Sequence, residues 1–140
     1  MSIDVKVLAL ANLVIQLVLV VVLSVAVYFS VKKRNFKKHC AILRLAVPLQ
    51  ILVTVTVMLP SLLGYIENEH KGLLFNTEIL VHHSLGLVAI VVWIYINLVF
   101  LRVIKPWGRL KVAMRLALAS WVAALLIGLH LYVSIWILKI

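Results

Sequence analysis

Residues 7–31 read VLALANLVIQLVLVVVLSVAVYFSV, and residues 32–40 continue KKRNFKKHC. The first stretch runs 25 residues without a charge. As a helix it would extend about 38 Å, enough to cross a bilayer core of about 30 Å with some tilt. The second stretch packs five cations into nine residues. An uncharged rod that ends in a basic run predicts a membrane span leaving the bilayer on its cytoplasmic side.

Working outward, the same pattern repeats three times. A second apolar block runs over 41–65, a third over 79–101 and a fourth over 112–138, with Arg44 and Arg115 in the opening turns of the second and fourth. Each is longer than the roughly 18 residues that a spanning helix needs. The expected helices are therefore about 7–31, 41–65, 79–101 and 112–138 in a single domain. Asn76-Thr77-Glu78 has the composition of an N-cap for the third helix, and Pro106 and Gly108 mark the last turn. Pro60 is expected to end or bend the second helix, and Pro48 to kink it.

The cations decide the orientation. Eleven of the 14 Lys and Arg residues lie in or beside connections 32–40 and 102–111. All four acids, Asp4, Glu67, Glu69 and Glu78, fall at the opposite ends of the blocks. The positive-inside rule then places connections 32–40 and 102–111 in the cytoplasm and both termini outside. The expected fold class is all-α: an integral membrane four-helix transmembrane bundle, up-down-up-down, multi-pass in the cell (plasma) membrane.

Composition agrees. Hydrophobic residues make up 66% of the chain and charged residues 13%, against about 45–50% and about 25% in soluble domains. The net charge of +10 is accounted for by topology and by attraction to anionic lipid, so no nucleic-acid partner is expected. Met1-Ser2-Ile3-Asp4 lacks the basic start of a cleaved signal peptide. A single cysteine, Cys40, excludes an internal disulfide.

Functional chemistry points to the five histidines, because ionisable groups inside a membrane are expensive to keep there. His82 and His83 fall in the outer part of the third helix and His130 in the outer part of the fourth. These three are candidate haem or copper ligands, since neutral imidazole suits both metals and a helical bundle holds them between facing helices. Successive helical residues point about 100° apart, so only one of His82 and His83 faces a neighbour squarely. Plainer readings stand beside this one: hydrated interfacial side chains for His82 and His83, and a hydrogen bond to a neighbouring helix for His130. His70, beside Glu67 and Glu69, is a weaker metal candidate and His39 an interfacial residue. Gly86 would allow close approach near the histidine pair. Trp93 and Trp121 are expected to pack inside, and Tyr65, Trp107 and Trp136 to anchor at the interfaces. Asn12, Gln16, Gln50, Thr54 and Asn97 read as interhelical hydrogen-bond partners. No H-E-x-x-H, C-x-x-C or glycine-rich phosphate loop occurs, and Ser61 and Ser84 lack a base–orienter set. No catalytic residues, and no enzyme, are predicted.

Three features resemble a family of small four-helix membrane proteins of unknown function, some of whose members are linked to maturation of haem–copper terminal oxidases. They are the basic stretch with His39 leading into the second helix, the His82/His83 position in the third, and Arg115, Trp121, Gly128 and Tyr132 in the fourth. The last set, R-x5-W-x6-G-x3-Y, is the most specific. The resemblance covers about residues 37–135. It departs at Gly108-Arg109-Leu110-Lys111, where the family pattern carries a further histidine, and His130 lies outside the pattern. It implies an accessory subunit or assembly factor of a membrane-bound respiratory metalloenzyme, partnered by lipid and by a larger membrane protein complex. Two alternatives remain open at this level: a haem b-binding membrane cytochrome using histidines of helices three and four, and a purely structural subunit of a larger membrane complex.

Overall fold

The computed structural model describes residues 5–60, 63 and 72–138, and among these the regular structure is entirely helical. Helix α1 spans Val5–Val31. Helix α2 spans Phe36–Val53 and runs on into a π-helical segment, Thr54–Met58. Helix α3 spans Leu73–Phe100, and α4 spans Leu110–Tyr132 before a second π-helical segment, Val133–Ile137. The four are long and apolar enough to cross a membrane: 26 residues over Lys6–Val31, 23 over Phe36–Met58, and 28 each over Leu73–Phe100 and Leu110–Ile137.

Two helix starts differ from expectation. Helix α2 begins at Phe36 rather than 41, because the Asn35 side chain accepts the Lys38 backbone N–H at 3.2 Å and caps the helix there. Lys37 and Lys38 thus belong to its first turn. Helix α3 begins at Leu73 rather than 79, behind Gly72. Asn76-Thr77-Glu78 therefore lies inside the helix, where the Thr77 hydroxyl donates to the Leu73 carbonyl at 2.8 Å instead of capping an end. Helix α2 also continues through Pro48. Its hydrogen-bond pattern widens only over Thr54–Met58, where the Leu59 N–H reaches back five residues to the Thr54 carbonyl just before Pro60. The expected Tyr65 anchor, Ser61, Glu67, Glu69 and the His70 metal candidate all lie outside the described residues.

The chain divides into two compact units, Met1–Asn68 and Glu69–Ile140. In the first, α1 packs against α2. Leu19, Leu23 and Ala26 on one helix and Ala46, Val47 and Val53 on the other are buried. Gln16 Nε2–H crosses to Gln50 Oε1 at 2.8 Å in this interior. In the second unit, α3 packs against α4. Ile79, Ala89, Trp93 and Ile96 repeat at near three-and-four spacing, and Ala117, Trp121, Ala124 and Leu131 do the same on α4. The two indoles sit at 6.4 Å between ring centroids, and the small residues let the backbones close around them.

Candidate functional site: a histidine–glutamate cluster on the second hairpin

The buried stripe of α3 passes through Ile79 and Ala89, and a step of three from Ile79 lands on His82. The side chain accordingly turns to α4. Its Nδ1–H donates to the Ala124 carbonyl at 2.7 Å. That oxygen has a second lone pair, so it takes the imidazole in addition to its partner within the helix. Gly128, one turn further along α4, makes the seat. A Cβ there would come within 2.7 Å of His82 Cε1 and 3.2 Å of Nδ1, so no other residue leaves the ring where it is.

His83 goes the other way. Its Nδ1–H returns to the Ile79 carbonyl of its own helix at 2.8 Å. The two rings stand almost perpendicular, 89° apart with centroids at 5.1 Å. A carbonyl can only accept, so each neutral ring must carry its proton on Nδ1, and each Nε2 keeps a lone pair. Such Nδ1-anchoring is also how metal-ligating histidines are oriented.

His130 and Glu78 form the third element. The His130 Nδ1 and Glu78 Oε1 atoms are hydrogen-bonded across α3 and α4. The imidazole is 66% exposed, so this pair sits at the margin of the helix interface. Glu78 lies one turn before His82 on α3, which brings the carboxylate and three imidazoles onto one end of the hairpin.

The sequence-predicted residues therefore separate. His82 is the histidine that faces the neighbouring helix, on Gly128, and His83 lies against its own turn. His130 has Glu78 as its partner. For a haem or copper, His82 and His83 offer two Nε2 lone pairs. Among the described residues no group of three or more His, Cys, Asp or Glu side chains is arranged to hold a metal ion. Gly86, one turn beyond His82, and Tyr132, at the end of α4, are both half-buried.

Two ties had no counterpart in the sequence reading. His39, expected at the interface, is buried, and its Nδ1–H donates to the Ala26 carbonyl of α1 at 2.8 Å. Trp107 is tied through its backbone to the Tyr95 hydroxyl: the Trp107 N–H donates to it at 2.6 Å, and the hydroxyl donates to the Trp107 carbonyl at 3.2 Å. Of the intramembrane polar residues, Gln16 and Gln50 do bridge helices. Thr54 and Asn97 instead bond the carbonyls of Gln50 and Trp93 four residues back on their own helices.

Compared with protein-family models, curated proteins and solved structures, the chain finds no match.

Proposed function

We propose that this chain is a non-enzymatic accessory subunit or assembly factor of a membrane-bound respiratory metalloenzyme of the haem–copper oxidase type. The observation that carries the proposal is the seating of His82 on Gly128. These are two separate elements of the family resemblance, one on α3 and one on α4. The close approach of ring and backbone gives a physical reason for a histidine and a glycine at these two positions. Trp121, a third element, packs against Trp93 on the same face.

The surface also supports a protein with partners in the bilayer. Within the most apolar stretch of each helix only 22–28% of residues are buried. The remainder is half-buried or exposed, which leaves apolar surface for lipid or for other membrane helices. In the proposed arrangement the four helices run up-down-up-down in the plasma membrane, with both termini outside and the two basic turns in the cytoplasm. The Glu78–His130 pair and the His82–His83 pair then lie in the outer leaflet. His82 and His83 would be the ligands of any haem or copper held in transit.

The test is deletion of the gene, followed by measurement of oxidase activity and of haem absorbance in isolated membranes. Reduced oxidase haem content, restored by the wild-type chain and poorly by a Gly128→Val chain, is the expected result. Normal haem content and activity in the deletion strain would refute the proposal. Purification in mild detergent supplies the second readout, since the proposal expects oxidase subunits to accompany the chain. A tightly bound haem with a Soret band lost in His82→Ala would instead identify a membrane cytochrome.

A further inference from the structure

The turn between α3 and α4 has a surface that neither helix packing nor the histidine cluster uses. Residues 101–109 are all exposed. Leu101 is 68% exposed, Val103 66% and Trp107 94%. Arg102, Lys105, Arg109 and Lys111 alternate with them. A loop in water would not leave a tryptophan and two aliphatic side chains uncovered among cations. The headgroup layer of a bilayer accommodates both kinds of group at once, with apolar side chains toward the acyl boundary and cations at the phosphates.

Three further observations narrow the ligand. First, the cations have no carboxylate near them: among the described residues the one acid is Glu78, far back along α3 and engaged with His130. Second, the turn is tied back to α3: the Tyr95 hydroxyl bonds both backbone groups of Trp107, the residue that carries the exposed indole. Third, Arg102 occupies a left-handed position, φ 59°, where glycine is the usual residue. It closes the end of α3 there, with its own N–H on the Val99 carbonyl and the Val103 N–H on the Leu98 carbonyl, both at 3.0 Å. A guanidinium is kept at a position whose backbone prefers no side chain.

We propose that the α3–α4 turn binds the phosphate of an anionic phospholipid through Arg102, Lys105, Arg109 and Lys111, with Trp107 as its anchor at headgroup depth. Two arginines supply the planar forks that match phosphate oxygens. The turn between α1 and α2 is the natural control. It has a single arginine, Arg34, among lysines, and its Lys38 ammonium lies over the Phe29 ring at 5.1 Å.

The test uses the full chain in nanodiscs of phosphatidylcholine with increasing phosphatidylglycerol, and native mass spectrometry reads the lipid retained. Phosphatidylglycerol is expected to be retained in preference to phosphatidylcholine. Neutralising one cation should weaken it about five-fold, and Arg102→Gln with Arg109→Gln together about thirty-fold. Lys32→Gln with Lys33→Gln should weaken retention clearly less than the paired arginine variant does. Arg102→Gly keeps the backbone conformation and should weaken retention as Arg102→Gln does, which separates loss of charge from loss of fold. Equal retention of both lipids, or an equal loss from the first-turn variant, would overturn the proposal. So would release of phosphatidylglycerol by sodium phosphate but not by sodium chloride of the same ionic strength, which would mark a site for free phosphate. A nanodisc presents the same lipid on both faces, so the result is independent of the proposed orientation.

Discussion

The two hairpins use the same bond in different places. In each, a histidine donates Nδ1–H to the carbonyl of an alanine on the partner helix: His39 to Ala26 in the first, His82 to Ala124 in the second. His39 lies in the opening turn of α2, beside the Asn35 cap, and fastens the end of the hairpin nearest its basic turn. His82 lies about nine residues into α3, on a glycine, beside a second imidazole and a carboxylate. The interior polar contact of the first hairpin is a neutral amide pair, Gln16 with Gln50. That of the second is an imidazole on a backbone carbonyl, with a second imidazole and a carboxylate close by. The comparison teaches that an interhelical imidazole is not by itself a functional site. What singles out the second hairpin is the company His82 keeps.

The sharpest way to break this comparison is to remove the seat. Gly128→Val places branched carbons where a single Cβ would already stand 2.7 Å from the His82 ring. The helices must separate or the ring must leave the Ala124 carbonyl. A loss of about 2–3 kcal/mol is expected, as for an overpacked core, read as a lower unfolding midpoint in detergent. His82→Ala should recover much of the loss in Gly128→Val, because the clash needs both partners. Undiminished destabilisation in the double variant would show that Gly128 serves backbone packing rather than His82.

The next effect belongs to the first hairpin. Gln16→Leu leaves the Gln50 amide buried without its partner. The expected loss is about 1 kcal/mol, within the range for interhelical bonds in bilayers. Replacing both residues by leucine should lose less than Gln16→Leu alone, since no orphaned amide remains. Thermal stability in detergent, measured as a double-mutant cycle, decides this. In the second hairpin the interhelical side-chain bonds include those of His82 and His130, so the same comparison distinguishes a structural polar contact from the imidazole cluster.

His39→Phe should matter less again, with a loss of about 0.6 kcal/mol. The Ala26 carbonyl keeps its partner within α1, so only one hydrogen bond disappears and no group is stranded. A loss as large as that from Gly128→Val would mean that the first hairpin depends on its histidine as strongly as the second depends on its seat.

The four spans were legible because lipid solubility is a property of composition, and long uncharged runs separated by charge have one reading. The helices start at Phe36 and Leu73 rather than at 41 and 79 because charge and polarity do not by themselves end a helix. Lysines at the end of a span extend to the interface without ending the helix, and the Asn35 cap overrides them. The division between His82 and His83 was half legible. The 100° rule separates the two, and the buried step from Ile79 through His82 to Ala89 points to the right member, but only once the interface stripe is known. The His130–Glu78 pair was not legible. It joins residues 52 positions apart, and neither helix announces which of its turns meets the other. The Tyr95–Trp107 tie was hidden for the same reason, since it is made by backbone groups that every sequence has.

The smallest expected effect tests the two turns against each other. Both hairpins turn on an arginine in the left-handed region, Arg34 at φ 49° and Arg102 at φ 59°. An L-residue with a Cβ is strained there by about 1 kcal/mol or more. Glycine removes that strain, but it also frees the unfolded chain, which takes back about 0.5–1 kcal/mol. Arg34→Gly and Arg102→Gly should therefore each stabilise the chain by only a few tenths of a kcal/mol, seen as small upward shifts of the unfolding midpoint. Equal shifts would show that strain at the two turns is alike. A destabilisation at Arg102 alone would instead give its side chain a part in folding the second turn, and the likeness between the hairpins would end at their backbones.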